Sequence, residues 1–392
     1  MRRFSAQYII TAAGRILKRG IITTDDEGCI TEILDTGGNP PELSKTEFYN
    51  GIIVPGFINS HCHLELSDMK NKIDEHTGLG EFIKNVRENR SAENASSSDD
   101  IAEADKRMYS SGISACADIC NNSSSFGIKT HSPVKYINFL EVFGIDPSKA
   151  DKRIKEVIDL KKEADKTGIR SYIVPHSFYS MSARLISGIR ELASDNDLTT
   201  IHFMESPQEK TLLQNAEGEL MESYSAMGIT PAMLNDRVPD HITGIKEFIT
   251  SNGNLILVHN TYAEVNDIQS GLKRGNTWFC LCPGSNLFIE NTLPPVKMMR
   301  DLGADIILGT DSLASNRKLD ILEEMKVLSF NFPEISLEEI VRWATLNGAQ
   351  ALKIDKQFGS IETGKAPGLV LIENIDMVNL KLTPESRSIR LI

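Results

Sequence analysis

The chain has 392 residues, enough for one large α/β barrel of about 250 residues with a smaller unit beside it. With 40% hydrophobic and 24% charged residues it reads as an ordinary soluble globular protein and not as a disordered one. Its formal net charge of −12 argues against a nucleic-acid backbone as partner, because such binders cluster Lys and Arg, and leaves a small-molecule substrate.

Residues 1–54 read as short strands separated by turns: AQYIIT, RILKRGIITTD, GCITEILD and TEFYNGIIV. The N-terminus alternates like a strand and lacks the apolar core of a secretory signal, and no uncharged apolar run reaches the ~18 residues of a bilayer span. A cytoplasmic protein without membrane contact is expected. The six cysteines (Cys29, Cys62, Cys116, Cys120, Cys280, Cys282) are scattered with no CxxC pair, which suits buried free thiols in a reducing compartment.

Between the ends, strand and helix alternate, the pattern of parallel βα units. Eight strand candidates follow in order: GIIVPGFINSH, ISACADIC, VKYINFLEVF, RSYIVPHS, TTIHFME, NLILVHN, TWFCLCP and ADIILGTD. Helices are expected at 183–194, 263–274 and 319–330. The Ser- and Asn-rich stretch 88–100 is expected to be a solvated loop, with a lid as the rarer alternative, and to lead into a helix over 101–111 capped by Asp99 or Asp100. From Gly359 the chain returns to strands. The fold class is therefore α/β, a (β/α)8 TIM-type barrel over 55–358 with a small β-sandwich built from 1–54 and 359–392.

His61 and His63 stand one residue apart in an extended segment, so their side chains point the same way and are able to grip one ion. TTIHFMES with His202 and Glu205, NLILVHNTY with His259, and DIILGTDSLASN with Asp311 also end apolar runs in metal-type or proton-transfer residues. In a (β/α)8 barrel the active site lies at the C-terminal ends of the strands, where all of these residues fall. His76, His131 and His241 lie in polar surroundings and are expected at the surface.

The ordered set HCH, HFME, LVHN and LGTDS resembles the amidohydrolase superfamily, in particular its mononuclear nucleobase and nucleoside deaminases, the group that includes the triazine chlorohydrolases. The resemblance runs from GIIVPGFINSH to GSIETGKAPGLVLIE. It implies the split sandwich beside the barrel, and one divalent metal ion held by His61, His63, His202 and Asp311. Zinc is the first choice and iron or manganese the alternatives. Two-metal relatives carry a carboxylated lysine at the end of strand 4, where this chain has VPHSFYS.

The resemblance also implies roles for the neighbouring residues. Glu205 would shuttle the proton, with a helix-capping glutamate as the plainer alternative. His259 is either a ligand or the group that, with Asp311, orients and deprotonates the water. His176 would face the substrate, and Glu65, Phe82, Phe178 and Tyr179 would shape specificity. Ser312, Ser315 and Asn316 would support Asp311. CPGSN has Gly284 where the family usually has arginine, so a charged substrate contact there is in doubt.

The function these residues imply is a metal-dependent hydrolytic deaminase. Metal-bound hydroxide would attack an aminated purine or purine nucleoside and release ammonia. HLELS and GTDSLASN look most similar to aminofutalosine deaminases. The alternatives are a chlorohydrolase or another cyclic C–N hydrolase acting on guanine, S-adenosylhomocysteine or a triazine, or a barrel scaffold without chemistry. A homodimer is compatible with the sequence.

Overall fold

The computed structural model describes residues 1–91, 98–234, 240, 241, 243, 244 and 253–392. Eight parallel strands carry the middle of the chain: β6 (Phe57–Cys62), β7 (Ile113–Cys120), β8 (Lys135–Val142), β9 (Ser171–Pro175), β10 (Leu198–Phe203), β11 (Asn254–His259), β12 (Thr277–Leu281) and β13 (Asp305–Leu308). They pair in chain order as two four-stranded sheets, β6 to β9 and β10 to β13. At one seam His202 N donates to the His176 carbonyl at 2.8 Å, and at the other Thr310 N donates to the His61 carbonyl at 3.0 Å.

Period-two alternation sorts each strand's side chains into two layers. Ala115, Ala117 and Ile119 of β7 join Ile137, Phe139, Val174, Ile256, Val258 and Ile307 in one core. Cys116, Cys120, Tyr136 and Leu140 belong to a second, larger core that takes in helix residues such as Val157, Leu185 and Ile268. Both faces of these strands are buried, which explains their near-continuous apolar runs.

The chain ends form one seven-stranded sheet in the order β15-β14-β5-β1-β3-β4, with β2 paired to β1. Its members are β1 (Arg2–Ile10), β2 (Ile16–Lys18), β3 (Ile21–Thr24), β4 (Ile30–Leu34), β5 (Thr46–Pro55), β14 (Leu369–Glu373) and β15 (Arg387–Arg390). The C-terminal β14 joins β5 antiparallel, so strands from both ends of the chain pair in one sheet.

Two sequence expectations need correction. The apolar run from Gly51 is not one strand, for it divides at Gly56 between β5 of the terminal sheet and β6 of the parallel set. A Cβ at Gly56 would overlap Ser114 Oγ and the Pro367 carbonyl, so glycine is what lets the chain pass at this junction. The helix expected from 101 begins earlier and spans Ser98–Ser110, with Asp99 and Asp100 in its first turn. Carboxylates there complement the positive end of the helix dipole.

Other helices fall within two residues of expectation, at Ala183–Leu192, Val265–Arg274 and Ile321–Asn331. Of the lid candidate 88–100, residues 92–97 lie outside the described residues. All six cysteines are unpaired and five are buried. Among the described residues no helix is long and apolar enough to cross a membrane.

Candidate metal and catalytic site

His61 is on β6 and His63 just after it, His202 is on β10, His259 ends β11, and Asp311 follows β13. One donor atom from each of His61, His202, His259 and Asp311 lies within 4.8 Å of the others. His63 joins through Asp311, its Nε2 standing 3.4 Å from Oδ1, and His61 Nε2 is 3.5 Å from the same oxygen. All of these side chains are buried.

Burial lowers the His63 and His259 imidazoles well below the ordinary histidine value, with Asp311 opposing the shift. Burial, helped by His176, brings His202 to about 3. Neutral imidazoles are the form that ligates metal. Burial would push the Asp311 carboxyl up, but His61, His63 and His259 pull it well below its usual value. Both ring nitrogens of His61 and Nδ1 of His63 are buried without a hydrogen-bond partner among the described residues. Such orphaned nitrogens beside a carboxylate fit a divalent cation, which would use the lone pairs left unpaired.

The surrounding residues hold this set in place. Asp311 Oδ2 accepts from Ser285 Oγ at 2.7 Å and from Ser315 Oγ. Asn286 Nδ2 donates to His259 Nδ1 at 3.2 Å and to Thr261 Oγ1 at 2.7 Å. In that arrangement His259 carries its proton on Nε2, which faces Glu205 Oε1 at 3.5 Å. Burial, with Asp311 and Glu209 adding negative charge, raises the Glu205 carboxyl well above its usual value.

Ser285 and Asn286 come from the CPGSN stretch, and their roles were not legible in the sequence. The neighbouring Gly284 faces Glu324 and Asn316, where an added Cβ would lie 2.7–2.9 Å from their polar atoms, and it is not part of the lining of the site cavity. Ser315 supports Asp311 as expected, and Ser312 bonds to Ser315. Asn316 instead donates to the Thr310 carbonyl and Glu324.

His63, His202, Glu205, His259 and Asp311 line a cavity of about 470 Å³, within the range of small-molecule sites. His176, Phe82 and Tyr179 line it, with Leu79, Ile83 and Met227 among its apolar walls. Burial lowers His176 to about 3, and its Nδ1 is held by Ser177 and Ser180 while its ring stacks on His202 at 4.5 Å. Glu65 is buried away from this lining. Its carboxylate takes Arg90 Nη2 at 2.9 Å and the Asn121 and Asn122 N–H groups, so it anchors an arginine that does line the cavity. Phe178 is buried in the core, against the ring of His241.

His76 and His131 are exposed as expected, but His241 is buried, with Nε2 2.8 Å from Glu209 Oε2. Polar neighbours in sequence hid it, because the partner that makes its burial tolerable lies 32 residues away.

Residues 52–387 match the sequence model described as Amidohydrolase family. The chain belongs to the amidohydrolase family. Amidohydrolase relatives include an adenosine deaminase of Helicobacter pylori, 26% identical over 84% of this chain and 80% of that protein. A 5-methylthioadenosine/S-adenosylhomocysteine deaminase of Thermococcus kodakarensis is 26% identical over 82% of this chain and 74% of its own length.

Among solved structures, Helicobacter pylori aminofutalosine deaminase in complex with methylthio-coformycin superposes with a TM-score of 0.82 at 22% identity, covering 100% of both chains. The atrazine chlorohydrolase of Arthrobacter aurescens complexed with zinc gives 0.72 at 19% identity, over 94% of this chain and 86% of that one. These likenesses place this amidohydrolase in the TIM-barrel-type fold.

Proposed function

We propose that the protein is a metal-dependent hydrolytic deaminase of aminated purine nucleosides. The observation that carries this reading is the gathering of His61, His63 and His202 around Asp311, with His63, His202, Asp311 and Glu205 all lining one cavity. The adenosine-type deaminases among the relatives agree with it. His61, His63, His202 and Asp311 are the ligands, and zinc is the ion, as in the zinc-bound chlorohydrolase. When bound, such an ion lowers the pKa of a water to about 7 and so supplies a nucleophile at neutral pH.

The protein's own groups carry the protons. Glu205 takes one from the attacking water and delivers it to the ring nitrogen beside the amine-bearing carbon; the second proton of that water, taken up at Asp311, passes to the amine, which then leaves as ammonia. This class of acid–base catalysis is worth about 10²–10⁴ in rate. His259, its Nδ1 held by Asn286, presents Nε2–H to the water beside Glu205, while Asp311 orients the same water and helps deprotonate it. His176 and Phe82 contact the purine, and Glu65 acts through Arg90.

The finer substrate is aminofutalosine, supported by HLELS and GTDSLASN and by the likeness to the Helicobacter enzyme. The terminal sheet belongs to a small β-sandwich of residues 1–54 and 359–392, and the eight strands within 55–358 close into one barrel.

The test is ammonia release from adenosine, 5′-deoxyadenosine, 5-methylthioadenosine, S-adenosylhomocysteine and aminofutalosine, with metal content assayed. Release that is lost on chelation and restored by zinc is expected, and Glu205→Gln should keep the metal while losing at least about 10²-fold in kcat. Chloride from a triazine, with no ammonia from any nucleoside, would overturn the reading.

A further inference from the structure

Glu205 sits on a turn with no regular structure of its own, between the end of β10 at Phe203 and the helix Gln208–Asn215. Met204 before it has φ +51°, a left-handed conformation rare for a non-glycine residue. Three successive backbone N–H groups therefore point one way, and a single side chain collects them. Glu209 Oε2 accepts from Met204 N at 3.1 Å, and Oε1 accepts from Glu205 N at 2.6 Å and from Ser206 N at 3.2 Å.

Glu209 is fully buried. Its fourth donor is His241 Nε2, at 2.8 Å on Oε2. Four donors fill the acceptor sites of one carboxylate. His241 is fixed in turn by edge-on contacts with Phe203 at 5.2 Å and Phe178 at 6.2 Å. The carboxylate thus spans the turn on both sides of Glu205, and His241 locks it to the end of β10.

We infer that Glu209 and His241 are positioning residues for Glu205: Glu209 grips the backbone of the 204–206 turn and His241 holds Glu209, which together aim the Glu205 carboxyl at the cavity floor beside His259. This rests on Glu205 being the proton-transfer group. A helix-capping role alone would not explain it, because the cap needs only the Ser206 end of the turn, whereas the Met204 and Glu205 N–H groups lie upstream of the helix.

The test is a double-mutant cycle between positions 205 and 209, read as kcat and KM for ammonia release from 5-methylthioadenosine by the zinc-loaded full chain. Glu209→Ala should lower kcat by about 10²-fold, the cost of misplacing a catalytic group by ~1 Å, with KM and zinc content little changed. In a Glu205→Gln background the same substitution should cost less than about threefold, because its effect passes through the group already removed. His241→Phe should lower kcat in the same way, and His241→Gln, which keeps a donor for Glu209, should restore most of it.

Hydrogen exchange over 203–207 gives a second readout, faster in Glu209→Ala and His241→Phe than in the parent. If Glu209→Ala proves insoluble, the His241 pair carries the cycle. Equal losses from Glu209→Ala in both backgrounds, or full turnover with unchanged exchange, would overturn the inference. Full turnover in Glu205→Gln alone would instead sink the proton-transfer role on which it rests.

Discussion

Replacing Lys129 with Met should destabilise the protein by about 3–5 kcal/mol, the cost of leaving one member of a buried ion pair without the other. Lys129 closes the short helix Phe126–Lys129, and its Nζ is paired with Asp118 of β7, both side chains being completely inaccessible. The ammonium also donates to Asn138 Oδ1 at 2.9 Å and lies 3.1 Å from Cys120 Sγ. Burial alone would lower the Lys129 pKa, but Asp118 and then Cys120 more than reverse this and hold it above its ordinary value. Methionine matches the length of lysine, so cavity formation adds little and the unpaired Asp118 charge dominates.

Asp118 Oδ1 accepts the Leu64 N–H at 2.7 Å, immediately after His63, so the loss should also loosen the metal loop. Denaturant unfolding of chelated protein measures the effect free of metal stabilisation. The double variant Asp118→Asn/Lys129→Met, which keeps an acceptor for Leu64 without a buried charge, should recover part of the loss. A Lys129→Met protein within ~1 kcal/mol of the parent would refute the reasoning, because a completely buried carboxylate cannot lose its counter-ion so cheaply.

Two further outcomes are expected. Ser285→Ala removes one of two hydroxyl donors to Asp311 Oδ2 and should weaken zinc binding about 10-fold, the low end for loss of a group that orients a ligand, measured by competition with a chromophoric chelator. Burial raises the Glu324 carboxyl to about 8, against the Gly284 N–H and the Asn316 amide that favour its ionised form. The native state then keeps a proton that the unfolded chain releases near 4.5, so this group's contribution is complete below that pH and is lost as pH rises towards 8. Between pH 5 and 8 the chelated parent should lose a few kcal/mol relative to Glu324→Gln, and parallel stability curves would contradict this.

The strand ends were legible because a buried parallel strand writes an apolar run, and a polar residue at its close has only the barrel mouth to face. His61, His202, His259 and Asp311 were found in that way. The same logic overextended the run at Gly51, since an apolar stretch does not reveal that a close approach at Gly56 hands the chain from one sheet to another. Lys129, Glu209 and His241 left no signal, because each is made tolerable by a partner distant in sequence or hidden in a polar stretch. Ser285 and Asn286 lay in a recognised motif, but their contact with Asp311 and His259 depends on how β12 and β13 are registered, which spacing along the chain does not contain.

The backbone at the site explains why ligands from separate strands meet. Met204, His259, Asn260 and Asp311 all have positive φ, from +51° to +76°, and each such residue costs of order 1–3 kcal/mol unless its surroundings impose it. Those surroundings are cross-strand hydrogen bonds: Asn260 N to the Phe203 carbonyl and Tyr262 N to that of Met204, both at 2.9 Å, and Asp311 N to that of His61 at 3.1 Å. Asn260 adds side-chain bonds to the Leu257 and Cys280 carbonyls. Each left-handed residue turns the chain sharply at a strand end, and each turn is fastened to a neighbouring strand that carries another site residue. The positions of the imidazoles and carboxylates are therefore coupled through main-chain bonds, and displacement of one strand end is transmitted to the next ligand.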